Sequence, residues 1–86
     1  MLYRIIIKPS AQKDLDRLPD KELKRILTRF GQLKMNPRPI GVQKLSDDEG
    51  YRVRIGNYRI LYIINDKIKN IFIYRIKHRK DVYKNG

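Results

Sequence analysis

The hydrophobic period of this chain changes once, near its middle, and that change constrains the fold more than any other feature. In the first half the apolar residues Leu23, Ile26, Leu27, Phe30 and Leu33 recur at helical spacing over three turns. In the second half Tyr51-Arg52-Val53-Arg54-Ile55 alternates strictly, as a half-buried strand does. Gly56-Asn57 follows, a two-residue hairpin signal, and residues 58–64 form a second, more apolar strand. A polar turn over 65–70 leads to a last strand over 71–76 and a basic tail over 78–86.

The flanking segments complete the pattern. Residues 2–8 are rich in β-branched and aromatic types and stop at Pro9, which predicts a first strand. Ser10 is placed to cap a short helix carrying Ala11, Leu15 and Leu18. Pro19 interrupts it, and Asp20 is a suitable N-cap for the second helix, with Glu22 in its first turn where the dipole favours a carboxylate. Pro37 and Pro39 end that helix, since proline cannot continue it. Residues 42–45 predict a short strand, and residues 46–50, with three consecutive acids, a turn. The expectation is an α+β fold: a small antiparallel sheet, made of the N-terminal strand plus the C-terminal meander, with two helices packed on one face. At 86 residues this is a single domain spanning 1–86.

Charge narrows the function. The chain carries 21 Lys and Arg against 9 Asp and Glu, a formal charge of +12. Self-repulsion of that size is usually tolerated because the partner is a polyanion. The imbalance is uneven: residues 1–50 carry a net of +4 and residues 51–86 a net of +8, so the positive potential sits on the sheet and tail. There is no Cys and a single His, which excludes a thiolate or His-rich metal site, and no metal or cofactor is expected. The acids Asp47, Asp48 and Glu49 are consecutive in a turn, a poor arrangement for converging on one ion. No apolar run approaches the ~18 residues of a membrane span. The N-terminus reads as a strand rather than a signal peptide, so the expected location is the cytoplasm.

The hairpin register sharpens the picture. With Gly56-Asn57 as its loop, Ile55 pairs with Tyr58, Arg54 with Arg59, Val53 with Ile60, and Arg52 with Leu61. Arg52, Arg54 and Arg59 then share one face, and Arg54 and Arg59 are direct cross-strand neighbours. Like charges so placed cost stability, which a bound anion would remove. The alternative is a solvated polar face. Tyr51, Tyr58 and Tyr62 fall on the opposite face and are expected in the core. Arg59 and Tyr83 are not expected there. Tyr83, in the basic tail, could stack on a base or exchange a proton, or simply pin the C-terminus. His78 lies between Lys77 and Arg79, neighbours that favour its neutral, proton-accepting form.

The apolar strand opened by Tyr3, AQKDLDRLP at 11–19, NP at 36–37, KL at 44–45, YRVRIGNYRILY at 51–62 and HRKDVY at 78–83 together resemble the RelE branch of the RelE/ParE toxin superfamily. The resemblance spans essentially the whole chain. It implies the toxin of a type II toxin–antitoxin system, an mRNA interferase that cleaves mRNA in the ribosomal A site by metal-independent attack of a ribose 2′-hydroxyl on the adjacent phosphate. It implies an acidic, RelB-like antitoxin as partner, together with the ribosome and mRNA. Carried over by residue, it gives catalytic roles to Arg52, Arg54, Arg59, Arg79 and Tyr83. Arg52 and Arg54 stand where relatives often have lysine. Arginine is effectively never deprotonated, so neither can be a simple general base, and Lys77 and His78 become the candidates. Lys44, Lys80 and Lys84 are expected to contact RNA. The alternatives are a ParE-like inhibitor of DNA gyrase and an inactive RNA-binding homologue.

Overall fold

The structure, a computed structural model, describes residues 2–45 and 50–80. Its elements are β1 (Arg4–Ile7), α1 (Pro9–Asp16), α2 (Asp20–Met35), β2 (Gln43–Lys44), β3 (Gly50–Ile55), β4 (Tyr58–Asn65) and β5 (Asn70–His78). The strands form one sheet in the order β1-β5-β4-β3-β2. Both helices pack on one face of it. Ala11 and Leu15 of α1 and Ile26, Phe30 and Leu33 of α2 close over Val53, Ile60, Tyr62, Ile71, Ile73 and Ile76. Leu27 of the predicted stripe points outward. No helix among the described residues is long and apolar enough to cross a membrane.

The α+β architecture agrees with the sequence expectation, with one pairing changed. β3, β4 and β5 form the expected antiparallel meander, but β1 lies parallel to β5, with Ile5 opposite Ile71 and Ile7 opposite Ile73. The reason is the edge of β5. β1 covers its first half, and α1, which follows β1 directly, covers the second. The Ser10 hydroxyl donates to the Tyr74 carbonyl at 2.6 Å, and the Asp14 carboxylate accepts from the Ile76 N–H at 2.8 Å. Only a parallel β1 lets strand and helix run along that edge in succession, protecting groups that an open edge would leave unpaired.

Helix starts also differ from expectation. Pro9, rather than a residue after Ser10, opens α1, because its fixed φ suits the first helical position. Ser10 is thereby released to bond the sheet. α2 begins at Asp20, placing both Asp20 and Glu22 in its first turn, with Pro19 as the cap residue. The acidic turn at 46–49 and the tail beyond Lys80 lie outside the described residues.

A second polar cluster ties the far end of the sheet together. Arg38, in the loop after α2, makes a two-point bond to Asp66 (2.9 and 3.3 Å) and donates to the Tyr51 hydroxyl at 3.1 Å. Tyr3 donates to the same carboxylate at 2.6 Å. The Arg38 guanidinium, with Tyr3 behind it, holds the Asp66 carboxyl down at about 2. Tyr62, fully buried, gives its hydroxyl to the Pro37 carbonyl at 2.7 Å, and burial pushes its ionisation well up.

Candidate nucleic-acid interface

The face of the sheet turned away from the helices carries the cations. The hairpin register is the predicted one: Arg54 opposite Arg59, Val53 opposite Ile60, Arg52 opposite Leu61. The turn has Gly56 at φ +58 and no positive φ at Asn57, the signature of a II′ turn. In such a hairpin Ile55 and Tyr58 form the hydrogen-bonded pair, so Arg54 and Arg59 form the next, non-hydrogen-bonded pair. There the backbones approach to about 4.5 Å and side chains are closest.

β5 extends the row. Arg59 pairs with Lys77, so Arg54, Arg59 and Lys77 lie side by side across three strands. A β-bulge makes this possible. Tyr62 pairs with Ile73 and Leu61 with Arg75, leaving Tyr74 as an extra residue on β5. The bulge shifts parity, so Ile73 and Ile76 both reach the core while Arg75 and Lys77 face outward. Without it Lys77 would alternate with Ile73 into the helices.

Two cavities share Arg54 and Arg59 of this row. One, of about 560 Å³, is lined by Arg52, Arg54 and Arg59 and, from α2, Arg29. The other, of about 270 Å³, is formed by Arg54, Gly56, Asn57, Arg59 and Arg79. Arg79 belongs to it because its N–H donates to the Asn57 carbonyl at 2.7 Å, tying the end of β5 to the hairpin turn. Arg52 is steadied by Gln43 of β2, which accepts from its Nε at 3.2 Å and also from Nη2. Arg59 is the one buried charged side chain among the described residues, 7% exposed, and so is part of the packed structure, against the expectation that it lies outside the core. The three tyrosines behave as predicted: Tyr62 is buried, and Tyr51 and Tyr58 pack against the core.

The structure separates the two proton-transfer candidates. Lys77 faces the arginine row. His78, one residue on, faces the other way, its ring edge-on to Tyr58 at 5.1 Å. Its Nδ1 accepts the Lys80 N–H at 3.2 Å, so in the neutral ring Nε2 carries the proton and the acceptor nitrogen is already engaged. Lys44 also stands apart. It pairs with Tyr51 on the helix side of the sheet, with its ammonium 5.7 Å from that ring, and lines a different cavity with Arg38 and Asp66. Lys80 is exposed just beyond β5. Tyr83 and Lys84 lie outside the described residues. Sequence reasoning missed Arg29; its signal was the spacing of Arg25 and Arg29, one turn apart on α2 and clear of the apolar stripe.

A basic, open-faced sheet of this topology is that of a known class. A family model described as the ParE toxin of the type II toxin–antitoxin system parDE matches residues 5–83. The Mycobacterium tuberculosis toxin RelG is 33% identical over 98% of this chain and 99% of its own. The toxin–antitoxin complex RelBE2 of the same organism contains a chain of 29% identity, covering 92% of this chain and 100% of that one, with a TM-score of 0.82. The archaeal RelE–RelB complex from Pyrococcus horikoshii matches at 35% identity over 92% of this chain and 97% of that one, also with a TM-score of 0.82. The protein is therefore a toxin of a type II toxin–antitoxin system. Within that class the chain belongs to the RelE/ParE family.

Proposed function

We propose that the protein is a ribosome-dependent mRNA endonuclease whose scissile phosphate sits on the Arg54–Arg59–Lys77 row. One observation carries the reading: Arg52 and Arg54 of β3, Arg59 of β4 and the anchored Arg79 converge on adjoining cavities that no described carboxylate lines, with Lys77 paired beside Arg59. Guanidinium groups so placed suit phosphate oxygens in two-point geometry. Clustered so closely, they give a local positive potential that attracts a phosphate.

In this reading the ribose 2′-oxygen attacks the adjacent phosphorus and the bond to the 5′-oxygen of the next nucleotide breaks. The products are a 2′,3′-cyclic phosphate and a 5′-hydroxyl. Arg54, Arg59 and Arg79 stabilise the charge that develops on the five-coordinate phosphorus, the usual large electrostatic contribution. They remain protonated throughout, so the 2′-proton must go elsewhere. Lys77 is the member of the row whose nitrogen can exchange a proton, and its position favours it over His78. Arg52 holds the neighbouring phosphate, and Lys80 and Lys84 add contacts to RNA. Tyr83 stacks on the cleaved nucleotide or supplies the proton to the leaving oxygen. The matching structures are toxin–antitoxin complexes, and an acidic antitoxin would cover this basic surface when the toxin is silent.

Primer extension on a defined mRNA in a reconstituted translation reaction tests the reading. Discrete cuts are expected only with ribosomes present, and Arg54→Ala, Lys77→Met and Tyr83→Phe should each weaken them. Absence of cuts by the folded wild-type protein overturns it. The description of the matching family model favours a second reading, inhibition of DNA gyrase. Loss of supercoiling by purified gyrase, with mRNA intact, would establish that reading instead.

A further inference from the structure

The cationic surface does not stop at the sheet. Beyond β2 no described strand pairs with the outer edge of β3, and α2 lies beside it. Arg29 reaches that edge: its Nη1 donates to Gln32 Oε1 at 3.0 Å, and its Nη2 lies 3.5 Å from the Arg54 carbonyl. Both acceptors are neutral, and among the described residues no carboxylate forms a salt bridge with Arg29. The same side chain lines the 560 Å³ cavity and a second groove of about 430 Å³, formed by Lys24, Arg25, Thr28, Gln32 and Ile55. Arg25 leans on the hairpin turn, its guanidinium nitrogens 3.0 Å from where a Cβ on Gly56 would stand. It keeps a loose pair with Glu22 at 3.6 Å.

Three cavities are thus joined through shared arginines. Arg54 and Arg59 join the turn cavity to the sheet cavity, and Arg29 joins the sheet cavity to the α2 groove. The floor of the last is Ile55, apolar and half-buried, with Lys24 and Arg29 above it. Basic groups along an open groove are the electrostatic track that follows a single-stranded phosphate backbone.

We infer that the groove between α2 and the outer edge of β3 binds the phosphate backbone of single-stranded RNA next to the cleavage site, through Arg29 and Lys24. The inference rests on the nuclease reading of the sheet face and extends it to a second row of contacts. Arg29 has a double part, as a phosphate contact and as the tie between α2 and β3.

Fluorescence anisotropy with 2′-O-methyl oligouridines tests this on the full chain, since blocking the nucleophile separates binding from cleavage. Two lengths, about three and about nine nucleotides, distinguish the sheet site from the longer track. On single strands each phosphate contact contributes about 0.7 to the slope of log affinity against log salt. Lys24→Gln should lower that slope by about 0.7 on the long oligomer only, with about a fivefold loss of affinity at 0.1 M salt. Arg29→Gln should lower it on both lengths, since Arg29 lines the sheet cavity as well. Arg29→Lys should keep the slope. Lys24 is exposed, so its variant reads charge without touching the fold. Unchanged slopes in both Gln variants, with wild-type binding intact, overturn the groove and leave the sheet site standing. Equal losses on both lengths in Lys24→Gln overturn it too, since that residue would then act through the sheet site. Losses confined to a polyglutamate peptide would give the groove to an acidic protein instead. Failure of the wild type to bind the long oligomer overturns the groove, while the nuclease reading stands or falls with the primer-extension cuts.

Discussion

Replacing Arg54 with threonine should make the protein more stable and less active. Arg54 is exposed and stands opposite Arg59 in the pair where side chains come closest. A like-charge pair in that position costs about 0.2–1 kcal/mol. A domain of this size shifts its Tm by roughly 4–8 °C per kcal/mol, so the variant should melt about 1–8 °C higher at low salt. Threonine also suits a strand, and that part of the gain does not depend on salt. The charge part does. At 1 M salt the screening length falls to about 3 Å, shorter than the ~4.5 Å between the paired backbones, so most of the electrostatic gain should vanish. Thermal denaturation at about 0.02 M and 1 M NaCl separates the two. Arg54→Lys keeps the charge and should show no salt-dependent gain. A salt-independent difference, or a loss of stability at low salt, would refute the claim that Arg54 and Arg59 repel each other across the hairpin. With it would go the argument that the clustered charge of the row favours binding a phosphate.

Other consequences are structural. Gly56→Ala should cost about 1–2 kcal/mol in urea denaturation, because φ +58 disfavours any Cβ and the new methyl would meet the Arg25 guanidinium at 3.0 Å. Arg25→Ala in the same chain should recover only the steric part. Asp14→Ala should cost about 1–3 kcal/mol, since it orphans the Ile76 N–H and breaks the two-point bond with Arg75 (2.9 and 3.3 Å). Asp66 should shape the acid limb of the stability curve. Its carboxyl is held at about 2, below the ordinary 3.8, so its contribution is fully present above about 4 and is lost as pH falls toward 2. Asp66→Asn should flatten urea midpoints across that window; an unchanged limb would assign the acid sensitivity elsewhere.

Much of this was legible in the sequence, for reasons that differ by element. The β3–β4 hairpin and its register followed from Gly56-Asn57 and strict alternation, because a two-residue loop leaves only one pairing open. The helix stripe followed from periodicity, apart from Leu27 at its margin. The direction of β1 did not follow, since four apolar residues read the same either way, and only the edge of β5 decides it. The placement of Lys77 against His78 was hidden by the bulge, although Ile73 and Ile76 already break the two-residue period. Burial of Arg59 was hidden as well, because alternation assigns a face and not a depth. Arg29 was overlooked because a basic residue outside an apolar stripe normally signals nothing but solvent.

The bulge shows how fold and site depend on each other. β5 must supply Ile71, Ile73 and Ile76 to the core and Lys77 to the arginine row, and no unbroken strand can do both. Inserting Tyr74 solves the parity but loosens the ladder where β1 has already ended. α1 meets that weakness through Ser10 and Asp14, which bond the strand's edge on either side of Arg75. Asp14 also accepts from Arg75 itself, on the outer face two residues before Lys77. A helix that contributes nothing to either cationic cavity therefore fixes where a proposed proton-transfer residue stands. On this logic Ser10→Ala, which removes one edge bond and no charge, should lower cleavage while leaving the salt slope of RNA binding unchanged. A variant in which both fall together would mean that α1 holds the whole sheet rather than the bulged half of β5.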